Sequence, residues 1–180
     1  MSAEQVTALL EAARWAATWG RRQPVRFVVG LRRAGAERPG EDQRRAGAEN
    51  TFATLAGLLN RGNAYATAAG ALILVCADEG DDENTALYSA VDAGAAEANL
   101  IIEAVSRGLV THPMAGFDVD GARAAFDIPP RVRPLMVIAV GSLADYGSVS
   151  EDIAERDSLP RERLPLEQIA FSGTWGQAWG

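Results

Sequence analysis

Arg21, Arg22 and Arg26 crowd one corner of the chain, within the stretch RWAATWGRRQPVRFVVG from Arg14 to Gly30. A corner that only turns the chain uses Asn, Asp, Gly or Ser, whose short side chains serve the nearby backbone. Long guanidinium side chains are not turn-makers. They either form a solvated face or offer hydrogen-bond donors to a ligand, and the corner by itself leaves both readings open. All 17 basic residues are arginine, which removes Schiff-base chemistry and the lysine of a phosphate-binding P-loop. A single histidine, His112, and a single cysteine, Cys76, leave no metal site of the usual His/Cys kind. The neighbours of His112 supply no serine elbow or acid for a triad, and Cys76 lies in an apolar run that reads as inert core. The acids from Asp78 to Glu83 do not have the spacing of a calcium loop. No side chain therefore qualifies as catalytic, and an enzyme built on this chain borrows its reactive group from a cofactor.

The charge distribution narrows the partners. The net charge is −7, yet residues 1–61 hold ten arginines against six acids, while 62–180 hold seven against eighteen. Nucleic acid is an unsuitable partner for the second part, and a small anion suits the first. The longest apolar tract, Thr85 to Leu109, carries Asp92, Glu97, Glu103 and Arg107, so it does not read as a membrane span. With a lone cysteine and no leader pattern before Arg14, the expected address is the cytoplasm.

The elements that must position these residues follow from pattern. Ser2 and Gln5 form a capping-box signature, and Val6, Leu9, Leu10, Ala13 and Ala17 recur at helical spacing, predicting a helix from Ala3 to Ala17. Val25 to Gly30, GALILVCAD and LMVIAVG read as buried strands. Between the first two, RRAGAE occurs at 32–37 and again at 44–49, and this charged segment over 31–50 reads as an exposed loop insertion. A short helix is predicted from Asn50 to Asn60 and another near Gly121 to Phe126. The longest runs from Asn84 to Arg107, with Leu87, Val91, Ala95, Ala98, Ile101, Ile102 and Val105 along one side and Ser89 and Asp92 elsewhere. Its small-residue centre, DAGAAEA, predicts close packing at the middle of the fold. The last forty or so residues show no core-like periodicity. Helices segregated from a few strands indicate α+β architecture in one domain spanning 1–180, with a C-terminal arm from about 142.

In order along the chain, RWAATWGRRQPVRFVVG, LLNRGNAYATAAGALILVCAD, DAGAAEANLIIEAVSRGLVTHPMAGFD, LMVIAVG and RERLPLEQIAF together resemble the nitroreductase family of FMN-dependent oxidoreductases. The resemblance implies an α+β homodimer, with helices around a small mixed sheet, a long central helix at the subunit interface, and a C-terminal arm reaching over the partner. It implies FMN as cofactor, NADH or NADPH as reductant, and a small-molecule electron acceptor such as a nitroaromatic or quinone. By the same resemblance, Arg21, Arg22 and Gln23 face cofactor or substrate. Pro113, Met114, Ala115 and Gly116 form the loop whose amides approach the flavin ring. Arg161 and Arg163 hold the FMN phosphate, and Asn63 is a polar flavin ligand.

The chain departs from the family pattern in places. The usual arginine-rich opening segment has no counterpart before Ala3. Ala17, Thr18 and Arg21 replace the customary Pro-Ser and Asn, and Val25 replaces an aromatic. Losing two charge-assisted hydrogen bonds predicts FMN binding weakened roughly a hundredfold, unless Arg21 or Arg22 substitutes. The same departures leave a second reading, a flavin-binding homologue without efficient turnover. A third is an oxidative flavoenzyme of the same fold acting on a specialised metabolite.

Overall fold

The computed structural model describes residues 1–32 and 42–180, with the side chains of 42–46, 48 and 49 outside the description. The chain divides into two units, Met1–Leu143 and Ala144–Gly180. The first opens with helix α1, Ala3–Arg14, where the Ser2 hydroxyl accepts the Gln5 amide and Gln5 Oε1 accepts the Ser2 amide, so the capping box forms. Val6, Leu9 and Ala13 are its buried side. The helix stops at Arg14, short of Ala17, because the chain must turn toward the first strand.

Four strands make the sheet: β1 Val25–Leu31, β2 Ala71–Asp78, β3 Val110–Met114 and β4 Val132–Gly141. Their order is β1-β2-β4-β3, and all three pairings are antiparallel. The α+β class stands, but among the described residues the sheet is antiparallel rather than mixed. Strand β3 was not predicted: only five residues long and interrupted by Pro113, it shows no alternation to read. Strand β2 is central, and Ala71 to Ala77 are all buried, as its unbroken apolar run requires.

Each face of the sheet carries its own core. Ile73, Val75, Ile138 and Val140 pack with Leu9 of α1 and with Leu100 of the long helix α3, Glu83–Ser106. Leu72, Leu74, Cys76 and Val137 pack on the other side with Phe52 and Leu55 of α2, Asp42–Leu58, and with Ala122 of α4, Val119–Ala125. Helix α2 begins at Asp42, eight residues before the expected start. The second RRAGAE copy is therefore helical instead of loop, consistent with the helix propensity of Arg, Ala and Glu. Residues 33–37 of the first copy lie outside the described residues.

Cys76 sits in the second core, and burial pushes its thiol from 9.0 up to about 11. Folding favours the neutral thiol, so its share of stability is intact below the unfolded pKa and fades as pH climbs from about 9 toward about 11. At pH 8 the native protein is expected to leave a disulfide reagent such as DTNB unreacted for hours. Denaturant should release one thiol per chain within minutes, and rapid native reaction would show that the strand opens.

Helix α3 keeps most of its large apolar side chains together on one side, and that side faces out. Thr85, Ser89, Asp92, Ala93, Ala96, Leu100 and Ala104 are buried, while Leu87, Val91, Ile102 and Val105 are 63%, 62%, 68% and 64% exposed. The small residues let α1 approach closely, and Asn99 Nδ2 donates to the Ala12 carbonyl at 3.1 Å. Both inward polar side chains are satisfied: Ser89 Oγ donates to the Ala86 carbonyl of its own helix at 2.9 Å, and Asp92 accepts the Trp19 amide.

The second unit contains helix α5, Glu151–Ser158, and a terminal hairpin in which Phe171 pairs with Ala178. The Trp179 amide donates to the Ala170 carbonyl at 3.0 Å. No residue of this unit is buried, and Leu159, Leu164, Ile169, Trp175 and Trp179 are exposed.

Candidate functional site

The arginine-rich corner joins α1 to β1. Gly20 takes a φ of +65°, which lets the chain reverse, and Gln23 takes +48° immediately before Pro24. Left-handed backbone ahead of a proline is doubly disfavoured for a residue with a Cβ and costs on the order of 1–3 kcal/mol. Hydrogen bonds on both sides hold it. Arg26 Nη1 donates to the Gln23 carbonyl at 2.7 Å and the Val25 carbonyl at 3.0 Å, and the Asp78 amide donates to the Pro24 carbonyl at 2.9 Å.

The two candidate arginines of the corner behave differently. Arg22 Nη1 donates to Asp82 Oδ2 at 2.5 Å and to the Thr85 hydroxyl, and its guanidinium lies 5.1 Å from the Trp19 ring centroid. Asp82 caps α3 by accepting the Thr85 amide at 3.0 Å. The hydroxyl and amide of Thr85, with Arg22 beside them, hold the Asp82 carboxyl below the usual carboxylate range. Arg22 is thus committed to the start of α3. Arg21 is exposed and has no hydrogen bond or ion pair to the described residues. It is the guanidinium with donors to spare.

The other candidate segment forms a compact polar knot. The Gly116 carbonyl accepts from the Asn60 amide at 3.0 Å and from Asn63 Nδ2 at 2.8 Å. Both asparagines flank the start of the 3-10 run Arg61–Ala68. A Cβ on residue 116 would stand 2.8 Å from Asn63 Nδ2, so glycine is what permits this approach. Phe117 bridges to Leu59, and the Asp118 amide donates to the Leu58 carbonyl at 2.8 Å. Pro113 and Met114 end strand β3, with Met114 buried in the second core, and Ala115 is exposed. Among the described residues nothing accepts from the amides of Ala115 and Gly116. His112 is exposed one step earlier, its ring edge-on to Tyr65 with centroids 5.7 Å apart.

Sheet order relates the two segments. Strand β1 enters where Val25 pairs with Ala77, and β3 runs toward that same end, its Met114 level with Val137 and Leu74. Three strand spacings separate the two edges, roughly 14 Å at about 4.8 Å each. Asn63 and Gly116 are in direct contact, whereas Arg21, Arg22 and Gln23 lie across the sheet end from them. Arg161 and Arg163 lie in the second unit, both exposed, with Arg163 Nη1 on the Glu162 carbonyl at 2.8 Å.

Sequence reading missed the groups that hold the corner. The Trp19 amide donates to both carboxylate oxygens of Asp92, at 3.0 and 3.1 Å. Its indole stacks on Tyr88 with centroids 5.2 Å apart and planes 13° from parallel. The available signal was Asp92 itself, an acid in the middle of a run of small apolar residues.

Among the described residues the unit thus carries two free main-chain amides after one edge strand and a basic corner before the other. The family model described as the Nitroreductase family matches residues 1–142, and the chain belongs to that family. It is 64% identical over 152 residues to an uncharacterized 15.4 kDa protein in the ask 5' region of Mycolicibacterium smegmatis, covering 84% of this chain and 98% of that one. A Streptococcus pyogenes serotype M6 protein with the provisional name NAD(P)H nitroreductase Spy0809 is 28% identical over 89 residues, 49% of this chain and 39% of its own length. The crystal structure of an oxidoreductase containing FMN aligns with a TM-score of 0.81 and 29% identity, covering 97% of this chain and 83% of that one. The chain is accordingly an oxidoreductase of the nitroreductase fold.

Proposed function

We propose that this protein binds FMN and passes hydride from NADH or NADPH to a nitroaromatic, quinone or similar acceptor. The observation that carries this reading is the likeness across 97% of the chain to an oxidoreductase containing FMN. The donor set fits the same group. When bound, FMN supplies reversible two-electron chemistry at its ring, which this chain's own side chains lack. The amides of Ala115 and Gly116 would hold the ring, and Asn63 keeps their loop in place through the Gly116 carbonyl. Main-chain donors of this kind stabilise developing charge without a titrating side chain. Arg21 and Gln23 border the site from the corner, and Arg161 and Arg163 are the proposed phosphate contacts, together with Pro113 and Met114 as the rigid lead into the loop.

The functional unit is a homodimer. The exposed apolar residues of α3 supply one subunit contact, and the second unit, which buries none of its own residues, supplies an arm to the partner copy. The proposed address is the cytoplasm; among the described residues no helix is long and apolar enough to cross a membrane.

Purified protein titrated with FMN and then gel-filtered tests the reading. Yellow fractions at dimer mass, oxidising NADPH faster with a quinone than free FMN does, are the expected result. Colourless fractions at high FMN concentration overturn it. Within that assay the corner arginines should separate. Arg21→Ala is expected to weaken FMN about tenfold without changing the melting temperature, the loss of one charge-assisted contact. Arg22→Ala should lower the melting temperature by a few degrees, because Asp82, Thr85 and Trp19 each lose one contact to the shared guanidinium.

A further inference from the structure

We infer that Asp92 is a positioning residue, a buried carboxylate that fixes the corner Trp19–Gln23 and thereby sets where Arg21 and Gln23 meet the cofactor. The inference rests on the flavin reading above and adds a residue that no motif points to. Asp92 is 5% exposed and lies on the inward side of α3. Both its oxygens accept one backbone amide, that of Trp19, from a segment 73 residues away. A buried carboxylate with a single donor residue is an expensive way to stabilise a helix, and an apolar side chain would fill the same space at lower cost. What the carboxylate adds is direction: it accepts only where an N–H is aimed at it.

Three contacts then fix the corner on α3, at its N-cap and within its first three turns. Asp82 takes Arg22, Tyr88 takes the Trp19 ring, and Asp92 takes the Trp19 amide. With these in place the strained Gln23 has no freedom to relax, and its left-handed backbone is kept instead of escaping to an extended form. Arg21 lies between the two clamped residues Trp19 and Arg22, so its backbone is fixed while its guanidinium stays uncommitted. Tyr88 also neighbours Leu87 on the outward stripe, so the corner is tied to the turn of α3 that meets a second subunit.

The test compares wild type, Asp92→Asn, Asp92→Ala and Trp19→Phe as full-length proteins. Two readouts apply to the folded protein: the near-ultraviolet circular dichroism of the stacked Trp19–Tyr88 pair, and the FMN dissociation constant from flavin fluorescence. Trp19→Phe defines the spectrum without the indole stack. Asp92→Ala is expected to lose that band and to weaken FMN at least about tenfold. Asp92→Asn keeps one acceptor oxygen for the Trp19 amide and should recover part of both. A purely structural Asp92 would lower the melting temperature while leaving the dissociation constant of the folded protein within twofold, and that result overturns the inference. If Asp92→Ala does not fold, Asp92→Asn decides alone, and unchanged band and affinity overturn the role. Wild type that takes up no FMN ends the flavin reading and the cofactor part of this inference with it; wild type that binds FMN while the variants bind equally well ends only the role of Asp92.

Discussion

Val91→Glu is expected to leave the protein a folded monomer that no longer retains FMN. Val91 sits on the outward side of α3, in line with Leu87, Ile102 and Val105, and in the isolated chain its side chain is mostly in water. The substitution therefore costs the single subunit little, and glutamate is a slightly better helix former than valine. In a pair built on this stripe the same carboxylate is buried at the contact, and two-fold symmetry buries a second copy of it in the same interface. An unpaired charge taken out of water costs several kcal/mol, so association should weaken by about a hundredfold or more. Light scattering coupled to gel filtration over a range of concentrations reads the mass directly, and visible absorbance of the same fractions reads the flavin. An unchanged dimer mass would mean that the apolar side of α3 meets something other than its own copy.

Gly30→Ala should be strongly destabilising, because the added methyl meets backbone and not the end of a side chain. Gly30 lies on β1, where α2 crosses it, and an added Cβ would stand 2.5 Å from Phe52 Cα and 2.6 Å from Phe52 N. These are backbone atoms of a helix and cannot swing aside as a side chain would. The helix has to lift off the strand, which also disturbs buried Phe52 and Leu55. Overpacking of this kind costs about 3 kcal/mol, or about 6–12 °C in melting temperature for a chain of this size. Gly57→Ala on the same helix is the contrast, because nothing lies within 4 Å of its added Cβ. That variant should melt at the same temperature or slightly higher, by up to about 1 kcal/mol of helix propensity. Equal melting temperatures for the two variants would show that α2 does not lie on β1 in solution.

The elements that announced themselves in the sequence did so through long, consistent patterns. Ala71 to Ala77 is apolar throughout, and only a central strand buries such a run; α3 has 24 residues of helical composition closed by Gly108 at a φ of +70°. Strand β3 stayed hidden because its pairing with β4 depends on residues some thirty positions away, and Pro113 argues locally against a strand. Which side of α3 meets the sheet was hidden for a similar reason. With alanine on several sides, apolarity alone does not say which side meets the sheet, and Asp92 turns inward where the Trp19 amide meets it.

The candidate site was legible unevenly. HPMAGFD and Asn63 were picked out by resemblance, and the contact between Asn63 Nδ2 and the Gly116 carbonyl joins them in space. The division of labour between Arg21 and Arg22 was not readable, since two adjacent arginines look alike until Asp82 and Thr85 fold back to claim one of them. Trp19 and Asp92, 73 residues apart, share no local pattern at all.

The two borders of the sheet are chemically unequal. On one, Pro113 interrupts the row of amide hydrogens along β3; on the other, the seven residues of β1 contain no proline. Among the described residues the row of amides along a sheet border is unbroken by proline at β1 and broken at β3, so the two borders are unequal templates for a newcomer strand. Edge-to-edge pairing through β3 is disfavoured by a single ring closure in a five-residue strand.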